Sequence, residues 1–239
     1  MPSNEPQVEP DLAVRLKRTR VHKDDDSATL LAAARRLTGI ADFKWRSVQQ
    51  LAALRTILGG AEEIVVVMPT GAGKSLLFML PASLYTAGTT VVILPLISLR
   101  ADIVYRLRSL KLDHSVWAPR SRQRAPVVLV SIEAASTRDF IEYAQGLVAD
   151  GQLDRVVIDE AHLTIAALEY RPVMNAASEL RRLRTQFLYL TGMLPPSIEA
   201  DFRRHNCLAI PTILRIDCNC PQVVYTIERC PEPADELYS

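Results

Sequence analysis

The stretch VVVMPTGAGKSLLF, residues 65–78, constrains the fold more than any other part of the chain. Val65, Val66 and Val67 read as a buried strand, the run that follows is small and flexible, and an apolar helical segment starts after Gly73, Lys74 and Ser75. A strand, a tight loop and a helix start form a phosphate-binding loop, in which backbone N–H groups converge on an anion and the helix end adds partial positive charge. In such a loop Thr70, Gly71 and Gly73 would line the phosphates of ATP, Lys74 would reach the β- and γ-phosphates, and the Ser75 hydroxyl would ligate Mg²⁺.

A phosphate loop needs a second group to complete the metal site and activate water. VVIDEAH, residues 156–162, supplies it at the end of another apolar run. Open α/β sheets bind ligands beyond the carboxyl ends of their strands, where Asp159 would stand. Its carboxylate offers the hard oxygen that Mg²⁺ prefers. Glu160 is then the candidate base for the attacking water. His162 is placed to hydrogen-bond across the site and report nucleotide state to another element.

The remaining pattern is that of a doubly wound domain. ATLLAAARRL and VQQLAALRTIL carry apolar residues at helical spacing. EEIVVVM (62–68), TTVVILP (89–95), PVVLVSI (126–132), DRVVIDE (154–160) and QFLYLT (186–191) are near-continuous apolar runs, as strands covered on both faces are. ISLRADIVYRLRSL and RPVMNAASELRRLR read as helices between them. Strand and helix in alternation give a mainly parallel sheet with helices on both faces. The expected organisation is a disordered tail over 1–28, rich in Pro and charge, an ATP-binding α/β domain over 29–215 and a linker over 216–239.

Composition narrows the partners. A net charge of +1 gives no overall basic footprint for nucleic acid and leaves only a local patch. No apolar run approaches the ~18 residues of a membrane span, and the N-terminus carries no apolar signal segment. RLKRTRVHK (15–23) reads as a solvated basic run, a nucleic-acid-binding tail or a nuclear-import signal, and the expected location is intracellular and nuclear. The four cysteines, Cys207, Cys218, Cys220 and Cys230, are spaced C-x10-C-x-C-x9-C, without the C-x2-C elbows of structural zinc sites. Reduced intracellular thiols fit that spacing better.

DEAH at 159–162 is the signature of superfamily 2 helicases, and other segments are similar to the RecQ-like branch in the same order. The strict loop pattern wants glycine at position 68, where this chain has Met68; TGAGKS after it resembles the helicase form. FKWRSVQQ (43–50) resembles the segment ahead of the loop whose Arg and Gln select adenine, matching Arg46 and Gln49. PLISL (95–99) resembles the motif that meets the nucleic-acid backbone at a helix start, which assigns Ser98 that contact. EYRPVM (169–174) resembles the end of the aromatic-rich loop that senses single-stranded DNA, leaving Tyr170 and Arg171 as contacts. LTGMLPP (190–196) resembles the third helicase motif, and its LPP ending is similar to RecQ-like helicases encoded near fungal telomeres and mobile elements.

The resemblance implies a RecA-like P-loop domain that uses ATP and Mg²⁺ and moves on single-stranded DNA. It also implies a second RecA-like domain that closes over ATP and supplies arginines worth roughly 10³–10⁵ in rate. RIDCNCPQVVYTIERCPEP (215–233) resembles the connection toward that domain, so the motor is expected to be completed by a longer gene product, by another chain or by self-association. Three departures accompany the matches. Gly192 and Met193 follow Thr191 where the family has Ala and a second hydroxyl, the loop after His162 lacks the family's Trp and Phe, and Ile132 and Ala134 stand in a Ser-Pro-Glu-Arg segment. They raise the alternative of a weakly catalytic remnant that binds ATP and nucleic acid without unwinding.

Overall fold

A computed structural model of the protein describes residues 27–95, 98–166 and 180–216. Two helices, α1 (Ser27–Thr38) and α2 (Val48–Leu58), precede the first strand, β1 (Glu63–Val67). The chain continues through α3 (Leu76–Ala82), β2 (Thr89–Leu94), α4 (Ser98–Ser109), β3 (His114–Val116) and β4 (Val127–Ser131). Then come α5 (Ile132–Ala135), α6 (Arg138–Ala149), β5 (Leu153–Ile158), α7 (Leu163–Ala166), β6 (Gln186–Thr191), α8 (Glu199–His205) and β7 (Thr212–Arg215).

The seven strands form one sheet in the order β3-β4-β2-β5-β6-β1-β7, every neighbouring pair parallel. Alternation along each strand divides the core in two. Ile64, Val66, Val92, Leu129, Val157, Leu188 and Leu190 face a cluster with Ala34, Leu54, Leu77, Phe78, Ile103 and Leu107, so α1–α4 cover that side. Val65, Val91, Val128, Val130, Val156, Phe187 and Tyr189 face Phe140, Ala144, Leu147 and Phe202, so α6 and α8 cover the other. Burying apolar side chains on both faces is what the unbroken Val/Ile/Leu runs encode.

The five strands read from sequence are β1, β2, β4, β5 and β6. β3 and β7 are additional: both are short edge strands, and no residue of β7 is fully buried, so neither carries an apolar run. α1 begins at Ser27, inside the stretch expected to be tail.

This strand order assembles the site. β6 lies between β1 and β5, so the segments leaving their three carboxyl ends are neighbours. Val67 is level with Thr191, and Ile158 with Tyr189. Beyond the strands, Met68 N donates to Thr191 O at 2.9 Å and Ala161 N donates to Leu190 O at 2.8 Å. The phosphate-loop segment and the DEAH segment are thus pinned to the same central strand end.

Candidate nucleotide-binding site

The loop between β1 and α3 turns through two glycines in the left-handed region, Gly71 at φ +82° and Gly73 at φ +88°. A Cβ on Gly73 would also lie 2.4 Å from the Gln50 side-chain nitrogen. Glycine is therefore required there both by backbone conformation and by contact. Leu76 N donates to Gly73 O at 3.1 Å and Leu77 N to Lys74 O at 3.0 Å, which carries the loop directly into α3.

The segment ahead of β1 docks on this loop. Ser47 caps α2, its Oγ accepting from Gln50 N at 3.0 Å. Gln50, 1% exposed, reaches back so that its Oε1 accepts from Arg46 N at 2.9 Å while its Nε2 donates to Gly73 O at 3.2 Å. The Arg46 guanidinium donates to Gly71 O. Of the two residues expected to read adenine, Arg46 contacts the loop and Gln49 is exposed on α2; the adjacent Gln50 makes the second contact with the loop. Ser-x-x-Gln is a capping-box pattern, in which the third residue past the cap turns back on the helix start, and it is the sequence signal that singles out Gln50 over Gln49.

Lys74, Asp159, Glu160, His162 and Thr191 meet at the three strand ends. Lys74 Nζ donates to Met68 O at 3.2 Å and lies 3.7 Å from Glu160 Oε1. Glu160 adopts φ +46°, a conformation that costs a non-glycine residue about 1–2 kcal/mol. Its N–H donates to its neighbour Asp159 Oδ1 at 3.0 Å, and its Oε2 lies 3.4 Å from His162 Nδ1. His162 Nδ1 also stands 3.1 Å from Thr191 Oγ1, which in turn donates to Met193 O at 2.9 Å. His162 thus contacts the last residue of β6, which is bonded in turn to the segment that follows it.

Burial, and then the neighbouring Glu160 carboxylate, push the Asp159 carboxyl above its ordinary range, while Lys74 and Arg106 pull it back. The half-buried Asp159 carboxylate and the Ser75 hydroxyl are hard oxygen donors of the kind Mg²⁺ takes, and they are the residues that could hold it. Thr70 is exposed at the loop's crest. Gly192 lies against Lys74: a Cβ there would be 3.2 Å from Nζ. One residue outside the quoted motifs also arrives, Arg106 of α4, whose Nη1 donates to Ser75 Oγ at 3.3 Å.

Ser98 is the first residue of α4 and is exposed. Tyr170 and Arg171 lie outside the described residues, as do Cys218, Cys220 and Cys230; Cys207 is an exposed thiol. Among the described residues no helix is long and apolar enough to cross a membrane.

The DEAD/DEAH box helicase family matches residues 47–200, from the α2 cap to the start of α8. The chain belongs to that family. Within it, the chain is similar to RecQ-family helicases. It is 32% identical over 203 residues to the ATP-dependent helicase SGS1 of Saccharomyces cerevisiae, covering 75% of this chain and 14% of the yeast protein. It is 29% identical over 195 residues to the mouse (Mus musculus) ATP-dependent DNA helicase Q5, covering 74% of this chain and 20% of the mouse protein. The chain thus spans a fifth or less of these two relatives. Its fold is that of solved helicase domains: Mycobacterium smegmatis Lhr bound to ssDNA and AMP-PNP aligns with a TM-score of 0.59 at 20% identity, over 77% of this chain and 27% of that one. The DUF1998 helicase MrfA bound to DNA aligns at 0.58 and 14% identity, over 77% and 28%.

Proposed function

We propose that residues 29–215 form the ATP-binding domain of a RecQ-like DNA helicase, and that the site at the ends of β1, β5 and β6 binds and hydrolyses ATP. The observation that carries this reading is the convergence of Lys74, Asp159 and Glu160, with Lys74 Nζ 3.7 Å from Glu160 Oε1. A lysine that can reach phosphates, a carboxylate that can hold a metal and a carboxylate that can act as base are the groups that phosphoryl transfer uses.

In this reading Lys74 leaves Met68 O for the β- and γ-phosphates, and Arg46, held by Gln50, lies on the adenine side of the loop. Ser75 and Asp159 would hold Mg²⁺, which would neutralise phosphate charge. Water attacks the γ-phosphorus, its proton passes to the Glu160 carboxylate, and the bond to the β-phosphate oxygen breaks to leave ADP and phosphate. The Glu160–His162–Thr191 chain carries the change at Glu160 to the turn after β6. Ser98, Tyr170 and Arg171 contact single-stranded DNA, the partner fitting the family. Residues 216–239 lead toward a second RecA-like domain whose arginines complete the site, from elsewhere in the polypeptide or from another copy. A nuclear location fits the basic run at 15–23.

The test is ATP turnover with and without single-stranded DNA, beside Glu160→Gln. Turnover that DNA raises and the substitution abolishes supports the reading. Turnover that persists in Glu160→Gln contradicts the assignment of the base.

A further inference from the structure

Arg106 stands at the proposed metal position, and no helicase motif accounts for it. It lies two turns into α4, with a side chain 53% exposed, yet it does not simply extend into water. Its Nη2 pairs with Asp102 Oδ2 at 2.7 Å, one turn back on the same helix. The other terminal nitrogen, Nη1, donates to Ser75 Oγ at 3.3 Å. Ser75 is one of the two oxygen donors assigned above to Mg²⁺, so a side-chain cation already meets it.

A serine hydroxyl has two lone pairs and one proton. While Oγ accepts from Arg106, the lone pair on that side is taken, and a metal approaching from α4 must displace the guanidinium. An arginine fork is also well matched to phosphate oxygens, and is more weakly hydrated than an ammonium. We propose that Arg106 and a divalent cation are alternative partners of the Ser75 hydroxyl, so that this chain holds nucleotide diphosphate through an arginine when metal is absent and releases that arginine when metal binds. Because α4 begins at Ser98, the exchange acts on the helix that carries a proposed DNA contact. The inference rests on the nucleotide-site reading above.

The experiment is equilibrium binding of a fluorescent ADP to the full 239-residue chain and to Arg106→Gln, Arg106→Lys and Lys74→Ala, in EDTA and across a Mg²⁺ titration. Arg106→Gln is expected to weaken ADP binding about tenfold in EDTA, the scale of one charge-assisted hydrogen bond. With saturating Mg²⁺ it should stay within about threefold of the native chain, and the Mg²⁺ midpoint should fall because a competing cation is gone. Arg106→Lys should recover part of the loss in EDTA. Equal losses in EDTA and Mg²⁺, no loss in either, or a native chain that binds no ADP in EDTA each overturn the proposal. Lys74→Ala separates the two levels: if it binds ADP as the native chain does, the nucleotide-site reading itself fails; if it loses ADP while Arg106→Gln behaves as native, only the role of Arg106 fails.

Discussion

Replacing Gln50 by alanine tests the way the α2 start is locked to the phosphate loop. Gln50 is 1% exposed and makes two side-chain hydrogen bonds, accepting from Arg46 N at 2.9 Å and donating to Gly73 O at 3.2 Å. Truncation removes both, at about 1 kcal/mol each. Water reaches part of this region, since Arg46 is exposed, so the expected loss is about 1–2 kcal/mol rather than the full penalty of two orphaned groups. For a domain of this size that corresponds to roughly 2–8 °C in Tm. Nucleotide affinity should fall as well, because the same two bonds hold Arg46 and the Gly73 turn in place. Gln49→Ala is the matched control: an exposed helix position should change stability by less than about 0.5 kcal/mol. Thermal melts and ADP binding on the pair decide the matter. If Gln49→Ala loses nucleotide and Gln50→Ala keeps it, the reasoning from the capping geometry is wrong.

Asp159→Asn should stabilise the nucleotide-free fold while removing Mg²⁺-dependent binding. The folded carboxyl titrates above its ordinary value of 3.8, so the folded chain holds that proton more tightly than the unfolded chain. The resulting penalty is absent below the unfolded pKa, grows as pH rises toward the folded pKa and is complete above it. The variant's advantage in Tm should therefore be present at neutral pH and vanish in acid; a variant less stable than the native chain at neutral pH contradicts the assignment. Gly192→Ala should be tolerated: its Cβ would meet Lys74 Nζ at 3.2 Å, the movable tip of a long side chain, and φ is not in the left-handed region. The lost glycine freedom in the unfolded chain should raise stability by about 0.4–1 kcal/mol in a denaturant melt. A tenfold loss of ADP affinity would show that Lys74 cannot give way.

What was legible in the sequence followed its burial. β1, β2, β4, β5 and β6 are covered on both faces, so their apolar runs gave them away within a residue or two. β7 packs on one side of β1 only and has the exposed ends of an edge strand, which leaves no run to read. α6 could have been found: Thr137 caps it, and Phe140, Tyr143, Ala144 and Leu147 repeat at helical spacing. In the site, Lys74, Ser75, Asp159 and Glu160 were visible because each sits at a fixed distance from a strand end. Motif spacing singled out Gln49, but it does not show which of two adjacent glutamines bonds the loop; the α2 cap turns Gln50 toward it. Arg106 was not legible from motif spacing, since α4 brings it to Ser75 from 31 residues away.

The most direct test of the account is the affinity of the purified chain for ATP with Mg²⁺, measured beside Lys74→Ala. Saturable binding that the substitution abolishes is the predicted result. Binding of unchanged affinity in Lys74→Ala would contradict the assignment of the loop between β1 and α3 as the phosphate site.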